Sequence, residues 1–572
     1  MPGDSLNINN KATAQNTYDA IVIGSGISGG WAAKELTEKG LKVLMLERGK
    51  HVEHVKDYVN ATKEIWEFPH RDKPTQQLIK EHPVLKRDYA LGEQTLGMWV
   101  NDTESPYTET KRFDWYRAYH TGGRSLHWGR QSYRWNRMDF EANAKEGIAV
   151  DWPIRYDELA PWYSYVEKFA GIQGSKEGLD VLPDGEFLPP MDMNVVEKDV
   201  SAKLKTQFGG KRHMFIGRSA NITEARPEQG RTNCQYRDRC WRGCPFGAYF
   251  STQSATLPAA RKTNNLTLEN NKIVTKLIYD KNSKKVTGVE TLDAETNKTY
   301  TYNAKIIFLC ASTFNSTWVL MNSATDIWPD GLGSSSGELG HNVMDHHFRA
   351  GANATVEGYE DKYIYGRRPT GIYIPRFRNI EGDKRDYVRG FGYQGSASRG
   401  RVTEIAEMML GEELKDALSE PGSWHMGITA FGEMLPDHNN KISLDKTKKD
   451  KWGLPVLNFD VEIKDNERKM RIDMMNDAAE MLNAAGLKDV KTFDNGYAVG
   501  MGIHEMGTAR MGRDRKTSVL NSNNQVWDAM NVFVTDGASM ASASCVNPSL
   551  TYMALTARAV DFAVKELKKG NL

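Results

Sequence analysis

Residues 19–47 constrain the fold more than any other stretch of this 572-residue chain. Asp19-Ala20-Ile21-Val22-Ile23 is an unbroken apolar run of the kind a strand buried on both faces needs. Gly24-Ser25-Gly26-Ile27-Ser28-Gly29 follows, then a predicted helix with Trp31, Ala32, Ala33 and Leu36 that closes at Gly40. A second strand, Leu41 to Leu46, ends at Glu47. The glycines permit a tight turn and let backbone N–H groups approach a pyrophosphate at the helix start, while Glu47 accepts from a ribose hydroxyl. A bare glycine triplet arises in many tight turns, but the flanking strands and the acid at this spacing make the pattern specific. Gly24, Gly26, Ser28, Gly29, Glu47 and the adjoining Arg48 are therefore candidate cofactor contacts, in an α/β domain of Rossmann-like type.

The length predicts more than one domain. From Gly49 to about Pro153 the pattern is irregular and aromatic, as expected of excursions over a cofactor. Leu266 to Tyr302, which includes Val274, alternates as strands do, with a hairpin near Lys281. Lys305 to Ala311 is a hydrophobic strand feeding Ser312, a second pass through the nucleotide domain. Tyr363–Phe377 and Trp424–Leu457 read as antiparallel strands, and Asp465–Ala485 as an amphipathic helix stopped by Gly486. The nucleotide domain is thus expected to be discontinuous: 17–90, 215–345 and 500–572. Residues 91–214 and 346–499 are expected to form a second domain with an antiparallel sheet and segments that cover the cofactor, and 230–250 a cysteine-rich loop.

A net charge of +1 leaves no basic field for a nucleic acid. No apolar run reaches the roughly 18–20 residues that span a bilayer. Met1 to Thr17 is polar and lacks the apolar middle of a secretory signal, so the chain read alone is cytoplasmic. Five cysteines are too few for a disulfide framework.

The C-terminal seventy residues carry the chemistry. His504-Glu505-Met506-Gly507-Thr508-Ala509-Arg510-Met511-Gly512 is followed by Asp536-Gly537 after a strand and by Asn547-Pro548 opening a helix. That helix has an apolar stripe from Leu550 to Leu567. Asn before Pro is a common helix start, so Asn547 is expected to cap it. The positive end of such a helix would steady negative charge on a ligand placed there.

With these motifs, and with Thr121-Gly122-Gly123-Arg124-Ser125-Leu126-His127-Trp128-Gly129, Asp151-Trp152-Pro153-Ile154 and Gly340-His341-Asn342-Val343-Met344-Asp345-His346, the chain resembles the glucose-methanol-choline oxidoreductase family. The likeness is to its sugar-oxidising branch, which includes pyranose oxidase and bacterial glucose and glucoside dehydrogenases. It departs at His341, where arginine is common. The resemblance implies FAD, a substrate sheet over the isoalloxazine ring, His504 as the base that takes a hydroxyl proton, and Asn547 against that hydroxyl. It extends the flavin set to Gly122, Gly123, Ser125, His127, Val274, Ala311, Asp536, Gly537, Pro548 and Thr551. In pyranose oxidase a histidine matching His127 is bonded to the flavin; related dehydrogenases share the His-Trp without establishing the bond, so packing is the other reading. Arg130, Tyr133 and Arg134 are candidate substrate contacts.

Cys234, Cys240 and Cys244 fall within eleven residues and point to a metal. Three thiolates suit an iron–sulfur cluster lacking one iron; zinc needs a fourth ligand, for which His213 is a candidate; three reduced thiols in a loop is the plain alternative. Related sugar dehydrogenases carry a 3Fe–4S cluster in this region, although their cysteine spacing differs. The resemblance also implies a cytochrome c-type acceptor and a small subunit whose signal would carry the chain to the periplasm. The expected activity is oxidation of a sugar or glycoside hydroxyl; the rivals are an oxidase that makes peroxide and a non-catalytic electron-relay subunit. Cys310 and Cys545 read as structural.

Overall fold

A computed structural model describes residues 16–87, 91–364, 366–380, 382–400, 410–419 and 421–572; nearly all of the Met1–Thr17 segment lies outside them. An eight-stranded sheet runs in the order 525–526, 529–534, 299–309, 17–23, 43–46, 266–269, with the hairpin strands 272–280 and 285–293 branching from 299–309. Its central pairs are parallel, with Ile21 opposite both Ile307 and Leu44. The apolar runs have a direct physical cause. Ile21, Ile23, Leu44, Leu46, Ile307 and Leu309 enter one core, while the alternating Ala20, Val22, Val43, Met45, Ile306 and Phe308 enter another on the opposite face. A strand with a core on each side has no polar face, so period-2 alternation vanishes. The first helix, Ile27–Glu38, and the C-terminal helix, Ser549–Lys568, are each split between the same two cores, through Trp31 against Ala32 and through Met553 against Val560.

A six-stranded antiparallel sheet forms the second layer, in the order 488–494, 346–356, 424–433, 391–399, 372–374, 215–216. Here alternation is clean. Ala350, Ala352, Ala354 and Met426, Ile428, Ala430 pack on Met470, Met474, Ala478 and Met481 of the helix Asp465–Ala484. Residues of the other parity, Gln394 and Phe431 among them, look away from that helix. Gly486, at φ +76°, follows the helix end.

Several expectations shift. Phe215–Ile216 is the last strand of the antiparallel sheet, not part of the parallel one. Among the described residues of 363–377, only Ile372–Ile374 is a strand. Trp424–Leu457 divides: Trp424–Glu433 belongs to the six-stranded sheet, whereas Lys441–Lys449 and Pro455–Asp460 form a three-stranded one with Thr108–Glu109. Strands His346–Val356 and Phe391–Arg399 escaped notice. Small residues (Gly351, Ala352, Ala354; Gly392, Gly395, Ser396) dilute their β-forming signal. Among the described residues no helix is long and apolar enough to cross a membrane.

Candidate active site

The two layers meet along a cleft of about 350 Å³. Gly24, Ser25, Gly26, Ser28, Glu47 and Arg48 line one end. Gly26 faces open space, since a Cβ there would meet nothing within 4 Å. Gly24 has φ +95° and Gly29 abuts it so closely that a Cβ on Gly29 would sit 1.9 Å from the Gly24 carbonyl oxygen. Gly29 therefore sits behind the cleft and makes its turn possible. Gly122 is also behind it, at φ +90°, donating its N–H to Ser25 Oγ at 2.9 Å.

Glu47 is buried and accepts from the Ser25 N–H (3.0 Å), the Ser25 hydroxyl and the Gly49 N–H (2.8 Å). Burial nonetheless raises its carboxyl above the usual range, against those donors. An ionised carboxylate offers about four acceptor sites, so one is left for a ligand hydroxyl. Arg48 lies over the Tyr119 ring at 4.5 Å and 3.3 Å from Asp450, with its Nε buried and unpartnered. Gly123, Ser125, His127, Val274, Ala311, Asp536, Gly537 and Pro548 continue the lining. Asp536 accepts from the Ser316 hydroxyl and the Ala538 N–H (3.0 Å), and burial pushes it up to about 6. Thr551 is a correction: it is fully buried outside the cleft and paired with the Tyr163 hydroxyl at 2.8 Å.

His504 and Asn547 meet at the cleft, with Asn547 Nδ2 3.2 Å from His504 Nε2. Asn547 does not cap the helix. The helix starts at Ser549, Pro548 is the cap position, and no side chain satisfies it. The Asn547 amide is engaged instead with His504 and with Gln394, whose Nε2 donates to Asn547 Oδ1 at 2.9 Å. Pro548 and Ser549 line the cleft, so the positive end of the helix does lie there.

Asp345 holds the loop that carries His504. Its carboxylate accepts from the N–H groups of Gly500, Gly502 and His504 (2.9, 2.9 and 3.0 Å) and from the Tyr497 hydroxyl (2.7 Å). Arg124 grips the next residue, Glu505, through two bonds of 2.7 and 2.6 Å. Behind His504 stands His346, Nδ1 to Nδ1 at 3.0 Å, with its own Nε2 3.1 Å from the Ala543 carbonyl. Burial, with the Arg124 charge added, pushes His504 well below the ordinary imidazole range.

Of the three candidate substrate contacts only Arg130 lines the cleft. Tyr133 is buried and stacked on Tyr373 at 4.1 Å, and Arg134 is locked to Glu167 by bonds of 2.8 and 2.6 Å. The antiparallel sheet supplies Phe348, Gln394 and Phe431 instead. His127 donates Nδ1–H to the Trp241 carbonyl (3.2 Å), its Nε2 is buried without a partner, and burial lowers it to about 3.

Cys234, Cys240 and Cys244 are free thiols lining one small cavity of about 30 Å³, beside Tyr249 and Arg237. Burial pushes Cys234 up to about 11. The zinc reading fails on two counts. His213 is 2.6 Å from Glu177 and does not line the cavity, and among the described residues no group of three or more His, Cys, Asp or Glu is arranged to hold a metal ion. A cluster makes a different demand, because each thiolate meets a different iron. The donor kind and the shared cavity suit that demand; the space holds only a water or two. Trp241, next to Cys240, lines the large cleft, so the two cavities are neighbours. Cys310 contacts the Thr535 hydroxyl and Cys545 is buried; neither lines the cysteine cavity.

Comparison with known proteins agrees with this layout. Residues 18–348 and 436–556 match the two family models described as GMC oxidoreductase. The 2-methyl-1,2-propanediol dehydrogenase of Mycolicibacterium austroafricanum is 29% identical, with 96% of each chain covered. The fructose dehydrogenase large subunit of Gluconobacter japonicus is 26% identical, over 96% of this chain and 98% of that one. Among solved structures, pyridoxine 4-oxidase from Mesorbium loti superposes with a TM-score of 0.60 at 16% identity, covering 96% of this chain and 99% of the other.

Proposed function

Since the chain belongs to the GMC oxidoreductase family, we propose that it oxidises a secondary hydroxyl of a sugar or glycoside to a ketone. The observation that carries this is the His504–Asn547 pair facing the cleft below Gln394. FAD, the cofactor of the family, supplies the hydride acceptor when bound. The unobstructed Gly26, the remaining acceptor site of Glu47 and the helix start at Ser549 fit it. His504 takes the hydroxyl proton at Nε2 and Asn547 holds the hydroxyl oxygen beside it. Phe348 and Phe431 offer apolar surface and Gln394 an amide, a mixture suited to a ring with apolar and polar faces. We assign His127 to packing on the flavin: acid precipitation should leave the yellow colour in the supernatant, whereas a yellow pellet would mean a covalent bond.

We assign Cys234, Cys240 and Cys244 to a 3Fe–4S cluster, which would supply a one-electron exit beside the cleft and favours a dehydrogenase. The shared cavity and the nearness of Trp241 support it. Iron and acid-labile sulfide analysis of protein purified without air tests it: about three irons per chain is expected, and none would overturn it. Ile65, Trp66, Tyr236, Phe246 and Tyr363 are exposed around this loop, surface of the kind a protein partner covers. We place there an electron acceptor of cytochrome c type, alongside a small subunit that carries the export signal to the periplasm. The name "large subunit" borne by the Gluconobacter relative supports a multi-subunit assembly.

Anaerobic titration with a panel of sugars, glycosides and simple diols decides the substrate class. A sugar should bleach the flavin, and no peroxide should form without an added acceptor. Bleaching by diols alone would replace the sugar reading with the chemistry in the Mycolicibacterium relative's name. Bleaching by none would leave an electron-relay subunit. Asn547→Ala should slow flavin bleaching on the order of 10²-fold, with a smaller change in substrate binding, because the amide acts where charge develops on the oxygen. Rapid mixing over a range of substrate concentrations separates the two effects.

A further inference from the structure

The third member of the centre is His346. Its Nε2 lies 3.1 Å from the Ala543 carbonyl oxygen, an atom that only accepts. The proton on that ring therefore sits on Nε2, and in the neutral ring Nδ1 is left as an acceptor. The atom 3.0 Å from that Nδ1 is His504 Nδ1, which must be the donor. With its proton committed there, His504 Nε2 carries a lone pair, and the atom facing it is the Asn547 amide nitrogen, a donor, at 3.2 Å. Gln394 Nε2 on Asn547 Oδ1 keeps that amide turned the same way. One main-chain carbonyl thus sets the direction of every bond in the chain from Ala543 to Asn547.

We propose that His346 is a positioning residue that fixes His504 in the tautomer whose Nε2 is free to take a proton, and that it stabilises the charged ring afterwards through its Nδ1 lone pair. This rests on His504 being the base. Asp345 and His346 are adjacent and act on the two halves of one residue: Asp345 receives the His504 main-chain N–H and His346 its ring N–H. Asp345 also accepts from the His346 N–H at 2.8 Å, so one buried anion steadies both rings. The other charged groups facing the pair are Glu433, Arg124 and Glu505.

The test uses flavin-loaded wild type, His346→Leu and His346→Asn, mixed without air with any alcohol or sugar that bleaches the wild type. Bleaching rate is followed from about pH 3.5 to about pH 8, a window that reaches well below the range in which a free imidazole titrates. Leucine leaves His504 Nδ1 without an acceptor, so the rate should fall roughly 10²-fold and the acid limb move to lower pH. Asparagine can turn its oxygen to His504, so it should recover most of that loss. If the leucine variant does not retain flavin, the asparagine variant decides, with a loss of roughly tenfold and a smaller displacement of the same limb expected. A variant equal to wild type in rate and pH profile would falsify the positioning role and leave His504 as the base. A wild type that no alcohol or sugar bleaches overturns the base role, and this proposal with it.

Discussion

His504→Ala should slow flavin bleaching by its substrate about 10³-fold while leaving flavin content unchanged. A hydroxyl is too weak an acid to lose its proton unaided near neutrality, and a positioned base contributes typically about 10²–10⁴ to such a step. Unchanged flavin content is expected because the contacts that fit the nucleotide portion, around Gly26 and Glu47, lie on another chain segment. The pH dependence follows from the direction in which the site moves this ring. Burial, with the Arg124 charge added, favours neutral His504, so it stays unprotonated below the ordinary imidazole pKa of roughly 6.5. The acid limb of kcat/KM should therefore lie well below that value in the wild type and be absent in the alanine variant. A loss under tenfold, or an acid limb that survives the substitution, would show that another group takes the proton.

The legible part of the sequence was the part where one physical demand acts on consecutive residues. Doubly buried strands demand unbroken apolar runs, and 19–23, 41–46 and 305–311 were read from them. A turn at a helix start demands glycine, and Gly24 and Gly29 are each hemmed in by backbone. The resemblance then supplied His504 and Asn547, which the fold brings together from positions 43 residues apart. What stayed hidden depended on pairing across long separations. Gln394 reaches the cleft because its strand alternates against Phe391 and Tyr393, which are buried on the helix side. Its glycine- and serine-rich neighbours give no strong β signal. His346 ends a motif that carries the resemblance, but its partner is 158 positions away and the motif does not show that pairing. Asn547 was misread as a cap because Asn-Pro favours that role in isolation; in the structure two partners in the cleft compete for the amide and win. Thr551 lies on the helix face turned from the cleft, beside Tyr163, whereas Tyr552, one turn after Pro548, lines it.

Gly29→Ala should yield a protein that holds little or no flavin and is destabilised, whereas Gly26→Ala should lose affinity for flavin with little loss of stability in its flavin-free form. The two glycines share a motif but not a physical role. At Gly29 an added Cβ would stand 1.9 Å from the Gly24 carbonyl oxygen and 3.4 Å from Cys310 Cβ, so the helix Ile27–Glu38 would have to back away from the turn. Overpacking of this kind costs about 1–3 kcal/mol, against a helix-propensity gain of at most about 1 kcal/mol for Gly to Ala, so the clash wins. The displaced helix also takes its N–H groups from the cleft. At Gly26 the Cβ meets no protein atom within 4 Å, so what it occupies is the cleft. Thermal unfolding with and without added FAD separates the cases. For Gly29→Ala the melting temperature should drop in both conditions; for Gly26→Ala it should drop only in the FAD-loaded comparison. Equal behaviour of the two variants would mean that the glycines serve the turn alone, and that close approach of a ligand to Gly26 is not part of how this cleft works.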